Sequence, residues 1–203
     1  LDADSASVTG AVNAATSVNA TTTGTATFSS GVTASTGGIT LDAGSTSVTG
    51  AVNAATSVDV TTTGTATFGS AVTAGTGNIN LTASSASVAG AATAASGAID
   101  INAATILLGG NASAGNGGVR ATGTSVTFNG TVSSGSGGVD IAGTTVNFAD
   151  DVTTTSGGRV DITNTGLLTI ADGATIIADG GFVQDGPGAV ALGASITTTG
   201  DAI

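Results

Sequence analysis

The side chains able to do chemistry are few. The ionisable set is thirteen aspartates with Arg120 and Arg159, because Glu, Lys, His, Cys and Tyr are absent. Asp100, Arg120 and Asp140 recur at steps of twenty residues and form the best constellation available. The chemistry to test against this constellation is cleavage of polysaccharides. One route is hydrolysis by paired carboxyls; the other is elimination, which uses Asp with Arg, Lys and often Ca²⁺. Here a general base and a walled pocket are both missing. Asp150 and Asp151 in FADDV, with Asp172 in IADGA and Asp179 in IADGG, make the second cluster. Asp150, Asp151 and Asp172 are weak candidates for Ca²⁺, which needs six or more oxygens. Adjacent aspartates in a strand point to opposite faces, and Asp-Gly is first of all a turn signal. The expectation is no catalysis and no resident cofactor or metal.

The charge balance narrows the partners. A net charge of −11 with only two cations lacks the clustered Lys and Arg that nucleic acid requires. It fits an anionic membrane surface equally badly, and no apolar run approaches the ~20 residues that span a bilayer. Without Cys there are neither disulfides nor thiolate metal sites. The narrow alphabet of Ala, Gly, Thr, Ser and Val invites a disordered reading. Disorder couples low hydrophobicity to high charge, whereas here only 7% of residues are charged and mean hydropathy is positive.

What must position these residues is a repeat. SVTGAVNAATSV at 7–18 returns at 47–58, and residues 5–41 match 45–81 almost letter for letter. Within that unit a cycle of about twenty residues carries three apolar beats, each alternating as a strand does. The first beat runs Val18/Ala20, Ile39/Leu41, Val58/Val60 and onward to Val160/Ile162. The second gives the largest side chains: Phe28, Phe68, Val88, Leu108, Phe128, Phe148, Ile170 and Leu192. The third is narrow, as in Val32/Ala34 and Val72/Ala74. Gly, Ser, Asn and Asp fill the gaps, with Gly-Gly at 37–38, 117–118, 137–138, 157–158 and 180–181.

Three short strands per cycle, each with one apolar face, describe one coil of an all-β parallel β-helix. A single coil cannot bury its apolar face, so coils stack at ~4.8 Å and share one core. About ten coils give a rod near ~48 Å long, read as a single repeat domain over residues 1–203. A β-sandwich would not demand the same three-beat order in every turn. The uneven beat favours the right-handed form over the left-handed one, whose beat is a stricter six residues. In this arrangement the second-beat residues form the structural core ladder, and small third-beat Ala leaves room for the Phe rings.

Outward positions decide what a partner meets. Between the first-beat pairs stand Asn19, Thr40, Asp59, Asn80, Asp100, Arg120, Asp140 and Asp161, a surface charge ladder in which Arg120 relieves repulsion between Asp100 and Asp140. After the third beat the outward row reads Asn13, Thr33, Asn53, Thr73, and continues to Thr153, Thr175 and Thr197. That hydroxyl-rich face is the basis of an alternative function, binding to carbohydrate or to ice; the bland account is that Thr favours strands.

The coil GGITLDAGSTSVTGAVNAAT (37–56) resembles the repeats of filamentous-haemagglutinin-like and autotransporter-type bacterial surface adhesins. Those share units of about twenty residues, G-x-I-x-L beats, Gly/Asn/Asp turns and few Lys. The likeness covers the whole chain but is periodic and compositional, and no functional residue carries over. It implies a secreted rod or stalk segment of an adhesin or surface filament, extracellular or at the bacterial cell surface. Its partners would be neighbouring coils, copies placed end to end, and host or cell-surface glycans. Leu1 matches Leu41 and Ile203 matches Val160, so the chain is expected to begin and end within a strand, as an internal piece of a longer polypeptide or a subunit that stacks head to tail.

Overall fold

The computed structural model describes residues 2–193 and 195–200; the expectations attached to Leu1 and Ile203 lie outside the described residues. The protein is a parallel β-solenoid of three strand segments per coil, with no helix among the described residues. All strand pairings in it are parallel and link each coil to the next. Ile79 pairs with Ile99, Ile99 with Val119 and Val119 with Val139, a climb of about twenty residues per turn. The third segments form a 10-stranded sheet running from Val12–Ala14 to Ser195–Thr198. The first and second segments belong to a 16-stranded sheet that wraps one corner of the coil.

That corner departs from the expected separation of beats. In four successive coils the two segments fuse into Ile79–Val88, Ala98–Leu108, Gly118–Phe128 and Val139–Phe148. Elsewhere they stay apart, as Val18–Thr22 and Thr25–Phe28, or Val160–Asn164 and Leu168–Ile170. One inward column at the bend distinguishes most of the coils, although those carrying Ala3 and Ala43 there are split as well. The fused coils place Ala83, Ala103, Gly123 and Gly143 there, and the strand runs on. Three split coils place a polar side chain there instead. Thr22 Oγ1 donates to Gly24 O (3.1 Å), Thr62 Oγ1 to Gly64 O (3.2 Å) and Asn164 Nδ2 to Gly166 O (2.7 Å). Each bond spans the two residues of the bend; Gly24 O and Gly64 O also accept a backbone N–H from the next coil.

The core is a stack of columns. Phe28, Phe68, Val88, Leu108, Phe128, Phe148 and Ile170 are all buried in register along the second segment. Val48, which the beat list passed over, fills the rung between Phe28 and Phe68. Within a coil, volume is shared with the first segment. Ala20 accompanies Phe28, Leu41 accompanies Val48, Leu81 accompanies Val88 and Ala121 accompanies Phe128, all of them buried. In these coils a smaller residue offsets a larger one, whereas Ile101 with Leu108 and Ile141 with Phe148 fill both positions with large side chains. Burying each such Phe, Leu or Ile is worth about 1.5–3 kcal/mol.

Leu192 is the exception. It holds its place in register above Ile170 but is 50% exposed, because no described rung covers it. Val190 is left open in the same way. The glycine pairs in the turns also differ among themselves. Gly118, Gly138 and Gly181 take the left-handed conformation, the first of the 157–158 pair does so too, and neither glycine at 37–38 does. At Gly138 two constraints coincide: φ is 71°, and a Cβ would meet Arg159 O at 2.5 Å. Only glycine fits that turn.

Candidate functional surface

The first-segment strands carry the charge column outward. Asn19 pairs with Thr40, Thr40 with Asp59, Asp59 with Asn80 and Asn80 with Asp100. Arg120, Asp140 and Asp161 follow, coil by coil. Strand alternation fixes this side outward, because Val119 and Ala121 on either side of Arg120 are buried. Arg120 Nη1 lies 3.3 Å from Asp100 Oδ1, with the two side chains 48% and 36% exposed. Asp140 stands on the far side of Arg120 in register.

Arg159, which the beat list did not place, reaches this column from the turn just before its strand. Its Nη2 is 3.4 Å from Asp161 Oδ1. The signal was in the text: GGRVDI (157–162) carries one residue more than GGVDI (137–141), and that extra residue is the arginine. Arg120, Asp140, Arg159 and Asp161 line a shallow surface cavity of about 230 Å³ with glycines of the adjoining turns. Lower on the rod Asp59 accepts from Ser57 Oγ at 2.7 Å and from Asn80 Nδ2. Arg120–Asp100 and Asn80–Asp59 thus link adjacent rungs, while Arg159–Asp161 and Ser57–Asp59 lie within one coil; each exposed ion pair contributes no more than about 1 kcal/mol.

The other aspartates serve the backbone. Asp150 and Asp151 lie in a turn rather than in a strand, so their side chains are not set on opposite faces of a sheet. Asp150 Oδ1 accepts from the N–H of Asp151 (2.8 Å), and Asp151 Oδ1 from the N–H of Thr175 one coil on (2.7 Å). Asp172 is exposed in the next turn. Among the described residues no three carboxylates converge as metal ligands do. Asp179 accepts from Thr199 Oγ1 and from the N–H of Gly157. Those two hydrogen bonds, Thr199 first, hold its carboxyl below the usual aspartate range against a small opposing effect of desolvation.

The third-face row also needs one correction. Thr153 pairs with Ile177, and Ile177 with Thr197, so Thr175 is not a member and an exposed apolar residue interrupts the hydroxyls. The longer turn at 171–174 shifts the register there, which spacing alone did not reveal. Asn164 was missed altogether. It is fully buried, donates also to Ala189 O (3.2 Å) and accepts from Gln184 Nε2 (2.6 Å). Two apolar hollows open at the ends of the stack. Val8, Val12, Val18 and Phe28 line one of about 370 Å³; Ile170, Phe182, Leu192 and Ile196 line the other, of about 410 Å³.

These features define a β-solenoid repeat protein whose polar groups mainly bridge coils. Set against known proteins, the chain matches no family model, no curated protein and no solved structure. The likeness to adhesin repeats thus rests on period and composition.

Proposed function

We propose that the chain is a non-catalytic structural rod, a stiff spacer within an extracellular bacterial adhesin or surface filament. The observation that carries this reading is the unbroken register. From Val12 to Ser133 the third-face pairings advance without an insertion, and inward columns run the same length. A rod of this kind resists bending because every rung is held by backbone bonds on three sides. Its acidic skin keeps like rods apart in solution. The apolar hollows at the two ends have the chemistry to receive a further coil, of the same polypeptide or of a second copy.

The test has two arms. Inserting a second copy of residues 45–84 should give a folded protein whose rod, by small-angle scattering, is longer by two rungs, about 9.6 Å. Collapse of the fold on insertion would refute a modular spacer. Antibodies to the segment should label the outer face of intact cells that make it. Label confined to the interior would refute the surface role, and selective capture of one sugar on a glycan array would replace the spacer with a receptor-binding function.

A further inference from the structure

The most regular surface of the rod is neither the charge column nor the third-face row. It lies on the second segment, where strand alternation sends two residues per coil outward around a buried alanine or its equivalent. One outward column begins Ser5, Thr25, Ser45, Thr65 and continues at twenty-residue steps through Ser85, Thr105 and Ser125 to Thr145, hydroxyl-bearing throughout. The second, two residues further along each strand, begins Ser7, Thr27, Ser47, Thr67 and departs from hydroxyl at Leu107 and Asn147. Each member is exposed or half-exposed. We infer that this face is an adsorption surface for crystalline water, an ice-binding plane set on the rod and independent of what the rod supports.

Geometry carries the inference first. Neighbouring coils repeat at about 4.8 Å, and outward residues two apart on a strand at about 6.6 Å. The result is a rectangular grid of hydroxyls and threonine methyls close to the oxygen repeats on the prism faces of hexagonal ice. One-to-one register from coil to coil keeps the columns straight. The grid is also held from behind, since Ala66, Phe68, Ala86 and Val88 beneath it are essentially fully buried. Ser45 Oγ accepts from the N–H of Thr65 (3.3 Å) and Thr145 Oγ1 donates to Thr124 O (3.4 Å), so these two members of the first column are tied to the backbone. A surface already ordered loses little entropy when it engages an ordered partner.

Charge and shape then select the partner. All thirteen aspartates and both arginines lie off the second-segment strands from Ala6 to Phe148, so the face is neutral on a chain of net charge −11. A sugar-binding face would be expected to offer an aromatic platform. Every Phe in the chain is buried instead: Phe28, Phe68, Phe128, Phe148 and Phe182. Water ordered over a neutral hydroxyl grid joins an ice lattice through many weak contacts, each bridging as an interfacial water does.

The 203-residue chain should show thermal hysteresis and faceted crystals in an osmometer, and should partition into a growing ice front. Thr67→Lys puts a long cation at the centre of the grid; Thr61→Lys puts the same cation on the first face of the same coil. Loss of most of the hysteresis in the first variant with retention in the second, both melting like the parent, is the expected result. No hysteresis and no partitioning by the parent would overturn the inference. So would equal losses in the two variants, or a glycan ligand whose binding Thr67→Lys abolishes.

Discussion

Phe128 and Phe148 stack face to face on adjacent rungs, ring centroids 5.2 Å apart and planes inclined by only 5°. They are register partners, so the same backbone bonds that set the coil spacing also bring the rings together. Elsewhere in the column Phe alternates with smaller residues, as in Phe28, Val48, Phe68 and Val88. Only here do two rings share the space.

Phe148→Ala should therefore cost about 3–5 kcal/mol, while Phe148→Leu, which keeps most of the volume, should cost less than about 1.5. Denaturant unfolding measures both. Because each coil rests only on its neighbours, hydrogen exchange should rise first in the strands flanking Phe148.

Thr46 is a defect that can be repaired. Its hydroxyl is buried without a hydrogen-bond partner among the described residues, between Ala26 and Ala66 in register. Replacing Thr by the nearly isosteric Val removes a buried polar group and opens no cavity. Thr46→Val should stabilise the protein by about 1 kcal/mol or more, read as a higher melting temperature. A lower one would show that the hydroxyl has a role the packing does not reveal.

Asn164 is the opposite case, a buried polar group with every partner in place. Asn164→Asp turns a double donor into an acceptor facing the carbonyls of Gly166 and Ala189. Each group orphaned in the interior costs about 1–3 kcal/mol. The variant should be strongly destabilised at neutral pH. It should recover part of the loss relative to the parent in acid, where the new carboxyl takes up a proton and can donate.

Asp179 makes stability depend on pH. Hydrogen bonds from Thr199 and Gly157 favour its ionised form in the folded chain, so it ionises at lower pH there than when unfolded. Its contribution is present above the ordinary aspartate range and is lost as pH falls through the depressed value. Asp179→Asn removes the charge and keeps one oxygen, which can accept from the N–H of Gly157; its NH2 then faces Thr199, whose hydroxyl can accept instead of donating. The variant's melting temperature should therefore fall less steeply than the parent's between about pH 5 and pH 2. Parallel slopes would remove Asp179 as a source of the dependence.

The sequence by itself determined the winding. Apolar pairs at spacing two, three per twenty residues, admit one inward face per strand, and a coil too thin to bury that face must stack. The charge column was legible for the same reason, since Asp100, Arg120 and Asp140 share a position between inward residues. Tertiary structure alone decided what depends on the path of the backbone and on register between coils. The extra residue, Arg159, forms a second ion pair with Asp161 two places on in the same coil, once the folded strand sets both side chains outward. Ile177, not Thr175, enters the third-face row because a longer turn shifts the pairing. Leu192 follows the core pattern letter for letter, yet half of it meets solvent, for burial belongs to the neighbour above and not to the residue. The polar bend at Thr22, Thr62 and Asn164 reads in one dimension as ordinary strand or turn text. Only the folded backbone shows which carbonyls those side chains reach.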